Sequence, residues 1–134
     1  MSKIKFIFIA VFIPFILAFV AKAEKSPTEL VAILVYADWC EDSEQMDELY
    51  EELREKWHQQ SVYFTRFDMS DEITQIQAEE FAELMGLEDI LEEYEAETGT
   101  FLIVDAPNRE VIHELDDDHS YEEIEELLKE ELSE

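Results

Sequence analysis

Leu30-Val31-Ala32-Ile33-Leu34-Val35-Tyr36-Ala37-Asp38-Trp39-Cys40-Glu41-Asp42-Ser43 holds a strand, a turn and the start of a helix within 14 residues. Leu30 to Tyr36 is a continuous apolar run rich in β-branched residues. It is too short for a buried helix and suits a central strand covered on both faces. Beyond the turn, Met46, Leu49, Tyr50, Leu53 and Trp57 follow at spacings of 3, 1, 3 and 4, which is one face of an amphipathic helix. Cys40 is therefore expected at the point where the strand gives way to the helix.

Further along, Ser61 to Asp68 (SVYFTRFD) reads as a second strand, with Val62, Phe64 and Arg66 alternating against Tyr63, Thr65 and Phe67. Ser70 is the expected N-cap of a second helix, with Asp71 and Glu72 in its first turn, where the helix dipole favours acids. Ile73, Ile76, Phe81, Leu84 and Met85 supply its expected buried face. Gly86 interrupts it, and Leu87, Ile90, Leu91 and Tyr94 resume a short helix. Thr100 to Val104 is a third strand, Asp105-Ala106-Pro107-Asn108 is turn chemistry, and Glu110 to Leu115 returns as a fourth strand. Ser120-Tyr121-Glu122-Glu123 is a capping box opening a last helix, whose stripe is Tyr121, Ile124, Leu127, Leu128 and Leu132. The order β-α-β-α-β-β-α belongs to the α/β class. With right-handed crossovers it predicts a four-stranded mixed sheet flanked by helices.

Residues 1–23 have a different character. Lys3 and Lys5 precede an apolar stretch that ends in Ala21-Lys22-Ala23, the pattern of a secretory signal peptide. The apolar run approaches the ~20 residues that span a bilayer, so an uncleaved membrane tether is the alternative. Cleavage would leave a linker at 24–29 and one domain at 30–134, exported to a periplasm or the exterior. It would also leave six basic residues against 36 acids, a mature charge of −30. Such a field repels nucleic acid and anionic membranes, so neither is expected as a partner, and a monomer is expected. Solubility, in a salty medium that screens self-repulsion, is the expected reason for the acidity, and a cationic partner or loose divalent-cation binding is the alternative. No metal is expected: there is one cysteine and no D-x-D-x-D-G loop, and His58, His113 and His119 fall on different elements.

Trp39-Cys40-Glu41-Asp42-Ser43 directly after the first strand, the element order, and Thr100-Phe101-Leu102-Ile103-Val104-Asp105 together resemble the thioredoxin family over about residues 28–132. In that family a W-C-x-x-C motif opens the first long helix. The first cysteine attacks a disulfide and the second resolves the mixed disulfide. The resemblance implies that Cys40 is the nucleophilic thiol, that Trp39 is a lid on the site, and that Ser43 occupies the resolving position. A serine cannot resolve. It further implies protein thiols or disulfides, or small thiols, as partners, and no cofactor. The family's buried acid, six residues before the attacking cysteine, is Leu34 here. The family's cis-proline before the T-F strand is replaced by Gly99, so this loop is expected to be trans or rebuilt around glycine. Because the family loop contacts substrate backbone, Gly99 and Thr100 are the implied substrate-binding residues. Glu92 to Thr100 (EEYEAETGT) resembles a subset of exported bacterial thioredoxin-like proteins in which a helix ending in T-G precedes this strand. Monothiol glutaredoxins also pair one cysteine with serine, but Cys40-Glu41-Asp42-Ser43 lacks their Gly-Phe pair.

Two opposing effects act on Cys40. A helix N-terminus favours the thiolate by roughly 0.3–1 kcal/mol. Asp38, Glu41, Asp42 and Glu44 oppose it, and a carboxylate near 4 Å costs between ~1 and ~4 kcal/mol. The expectation is a thiol less acidic than in a typical W-C-x-x-C site. Three functions are compatible with this chain: a monothiol that forms mixed disulfides in thiol–disulfide exchange, a non-catalytic binding module, and an acidic domain whose thiol is incidental.

Overall fold

A computed structural model describes residues 28–132. The elements run β1 (Leu30–Tyr36), α1 (Glu41–Trp57), β2 (Val62–Asp68), α2 (Glu72–Met85), α3 (Glu88–Tyr94), β3 (Phe101–Asp105), β4 (Glu110–Leu115) and α4 (Tyr121–Leu132). They form one sheet of order β2-β1-β3-β4, with β1 and β2 parallel and β3 and β4 antiparallel to their neighbours. This is the α/β architecture expected from the sequence. The expected signal segment, residues 1–23, lies outside the described residues.

The continuous apolar run of β1 follows from its position between two cores. Val31, Ile33 and Val35 face one core, with Phe67, Leu102, Val104 and residues of α2 and α3. Leu30, Ala32 and Leu34 face the other, with Met46, Tyr50 and Leu53 of α1 and Ile124 and Leu128 of α4. A strand buried on both faces has no polar alternation to show. Arg66 sits within β2 because Asp47 and Glu51 of α1 take its guanidinium, which also stacks 4.5 Å from the Tyr50 ring centre.

Helix α2 departs from the expected pattern in two ways. Its N-cap is Asp71, which accepts the Thr74 amide at 2.9 Å while Thr74 Oγ1 accepts the Asp71 amide, a reciprocal box. Ser70 is unavailable as a cap because its hydroxyl donates to Asp68 Oδ1 and accepts the Asp38 amide. The buried face is Ala78 and Ala82, flanked by Phe81 and Met85, which lets the helix lie close on the sheet. Ile73, Ile76 and Leu84 are instead 69%, 48% and 85% exposed.

Helices α1 and α4 are joined through Glu125. Its carboxylate accepts from Lys56 Nζ at 2.6 Å, Trp57 Nε1 at 3.3 Å and Tyr121 Oη at 3.1 Å. The Lys56 ammonium comes first among the causes that hold this carboxyl down, to about 2. A carboxylate depressed in the folded state stabilises it above the unfolded pKa of about 4.3, and that contribution is lost as pH falls toward the folded value. Glu125→Gln is therefore expected to lower the unfolding midpoint at neutral pH and to flatten the loss of stability between pH ~4.5 and ~2. Urea titrations of both proteins across that window check this, and parallel pH curves would count against it.

Candidate functional site

Three backbone segments meet at Cys40. The first is the turn leaving β1. Cys40 is the N-cap of α1, with extended backbone (φ −103°, ψ 117°) and no side-chain cap bond. Its amide donates to the Ala37 carbonyl at 3.1 Å, and its own carbonyl accepts the Glu44 amide at 3.2 Å. Ser43 closes the turn from the helix side. It is fully buried, and its Oγ accepts the Ala37 amide at 3.2 Å. The serine thus holds a backbone donor that would otherwise be buried and unpaired.

The second segment follows β2. Ser70 takes the Asp38 amide at 2.8 Å on its hydroxyl and the Trp39 indole N–H at 3.1 Å on its carbonyl. Trp39 nevertheless stays 66% exposed, in the turn directly before Cys40.

The third segment, 95–100, follows α3, which ends at Tyr94 well before the Thr98-Gly99 pair. The Gly99 amide donates to the Val35 carbonyl at 2.7 Å and the Val35 amide to the Thr100 carbonyl at 2.9 Å, so both residues extend the pairing with β1. Among the described residues there is no cis peptide bond, and Gly99 has φ +92°. A Cβ on Gly99 would lie 2.8 Å from Asp42 Cβ. The loop therefore rests directly on the first turn of α1. This close approach presents the Thr98 carbonyl to Cys40, whose Sγ donates to it at 3.8 Å.

Cys40 is half-buried and is the free cysteine of the chain. Burial is the largest influence on it and pushes the thiol up, but the Ser43 and Thr98 hydroxyls and the Ser43 and Asp42 amides favour the thiolate. The net direction is down. Asp38, Glu41, Asp42 and Glu44 are all exposed, and water screens their charges. Donors around the sulfur thus bring the thiol below the ordinary cysteine value despite burial and the neighbouring acids. Leu34 is fully buried in the α1-side core, so no carboxylate lies within the strand there.

Cys40, Trp39, Ser43, Gly99 and Thr100 are brought together by these contacts. Ser70, expected from the sequence only as a helix cap, and Thr98 belong with them. Their positions, one after a strand end and one before a glycine, were the available signals. His113 pairs with Glu131 and His119 with Asp116. The exposed Asp116, Asp117 and Asp118 bring carboxylate oxygens within 4.8 Å of one another in the β4–α4 turn.

No protein-family model and no curated protein matches the sequence. Solved structures do. Oxidised thioredoxin from Plasmodium falciparum is 17% identical, with 78% of this chain and 83% of that one aligned at a TM-score of 0.50. Trxlp from Edwardsiella tarda is 15% identical over 75% of this chain and 82% of its own, also at 0.50. A mutant thioredoxin from Halobacterium salinarum is 16% identical over 78% of this chain and 76% of its own, at 0.51. Identities this low speak for architecture alone, and by architecture this chain has the thioredoxin fold.

Proposed function

We propose that this protein is an exported monothiol that exchanges with disulfides through Cys40. The observation that carries the reading is the half-exposed Cys40 sulfur at the N-cap of α1, where a helix start favours the thiolate. The thiolate attacks one sulfur of a partner disulfide. A new S–S bond to Cys40 forms, the partner's S–S bond breaks, and its second sulfur leaves as a thiolate. With Ser43 at the position of a resolving thiol, the adduct persists until an external thiol attacks it, restoring reduced Cys40. Trp39 at the rim, and Gly99 with Thr100 beside the first turn of α1, would border the bound segment. Export rests on the pattern of residues 1–23. Among the described residues, no helix is long and apolar enough to cross a membrane. N-terminal sequencing of the protein recovered outside the cytoplasm should begin at Glu24.

The reaction is tested by mixing the native protein with glutathione disulfide and weighing it. A glutathione adduct is expected on wild type and none on Cys40→Ser. Because the thiol is shifted down, the rate should reach its plateau at lower pH than in the urea-unfolded chain. Modification only after unfolding would reject the proposal.

A further inference from the structure

Ile73, Ile76 and Leu84 leave an apolar stripe on the outer side of α2, opposite the buried Ala78 and Ala82. At about 100° per residue the three fall within a sector of about 80°, interrupted by Glu80. Glu72, Glu79 and Glu83 follow one another along a single edge of that stripe, all exposed. Helix α2 contains no basic residue. Among the described residues, Arg54, Lys56, Arg66 and Lys129 pair with carboxylates on other elements, and Arg109 donates to the Met85 carbonyl. Among the described residues, the acidic edge is thus left without a cation. The stripe starts at the thiol end of the molecule, since Trp39 is bonded to Ser70, just before the Asp71 cap.

We infer that this face docks a cationic amphipathic segment of a partner protein, with apolar side chains on Ile73, Ile76 and Leu84 and lysines or arginines on Glu72, Glu79 and Glu83. Charge complementarity selects this occupant. A second copy would bring acidic edges together, and an anionic membrane would be repelled. As the addressing surface for disulfide exchange, the inference rests on the reactivity of Cys40. As a docking surface it does not, and the two are measured separately.

The probe is a synthetic cysteine-free peptide with leucines and lysines at helical spacing, compared with a scrambled peptide of the same composition. Fluorescence anisotropy should show the patterned peptide binding about tenfold tighter, a difference of the size that one or two well-packed apolar anchors supply. Ile76→Ser/Leu84→Ser should abolish the difference, and Glu79→Gln/Glu83→Gln should halve or further weaken binding and its salt dependence. All four residues are exposed, so both variants should keep the wild-type circular dichroism. Equal binding of the two peptides, or an unchanged preference in the serine variant, would overturn the docking face. So would a dimer seen by sedimentation that the serine variant dissociates, since the occupant would then be a second copy. Failure of Cys40 to react with glutathione disulfide, with peptide preference intact, would remove the exchange reaction and leave the docking face standing.

Discussion

Replacing Gly99 with alanine is expected to remove about 3 kcal/mol or more of folding stability. Two separate effects add. At φ +92° the backbone is in a region where a side chain is strained, at roughly 1–3 kcal/mol. The new Cβ would also lie 2.8 Å from Asp42 Cβ, an atom rooted on the helix backbone and unable to swing aside. Overpacking of this kind costs roughly 1–3 kcal/mol. Gly86 is the matched control. It too has positive φ, +71°, but the nearest atom to an added Cβ is the Arg109 side-chain nitrogen at 3.6 Å. Gly86→Ala should therefore show the backbone penalty alone, on the order of 1–2 kcal/mol. Urea unfolding of the two variants separates the contact from the conformation, and equal losses would refute the close packing of the loop on α1. Because Thr98 is carried by the same loop, Gly99→Ala should also raise the Cys40 pKa, read from thiolate absorbance.

The fold was legible where burial pattern and chain order agree. A seven-residue run with no polar alternation left few places for β1 other than the middle of a covered sheet, and Met46, Tyr50 and Leu53 are buried as their spacing requires. The failures have physical causes. Hydrophobicity ranks Ile73, Ile76 and Leu84 above Ala78 and Ala82, but the position of a helix on a sheet depends on how near its backbone can come, and the small residues win that contact. Ser70 and Asp71 are both good caps, and only the distant Asp38 and Trp39 show that the serine is already engaged. For Cys40, sequence neighbours supply charges without distances. The nearby carboxylates are all exposed, whereas one residue in contact with the sulfur, Thr98, lies 58 residues away. Long-range contacts of that kind have no local signature.

If Cys40 exchanges with disulfides as proposed, Ser43→Cys should turn over mixed disulfides that the wild-type protein accumulates. Ser43 is the third residue of α1 and Cys40 is its N-cap, so a thiol at position 43 sits in the first helical turn beside the sulfur it must bond. Intramolecular attack from that position replaces attack by an external thiol. Effective molarities of well-oriented intramolecular groups lie far above ~1 M, so release should speed up at least roughly tenfold against ~1 mM external thiol. The substitution has a structural cost. Sulfur is a weak acceptor, and the Ala37 amide, bonded to Ser43 Oγ at 3.2 Å, would lose about 1–3 kcal/mol of hydrogen bonding. The reduced variant should therefore be less stable than wild type while being the faster reductant. Stopped-flow release of a chromogenic thiol from the Cys40 adduct, with urea unfolding of the same sample, measures both. Release no faster than wild type in a folded variant would show that the two side chains do not converge, and that the persistence of the adduct has a cause other than the missing thiol.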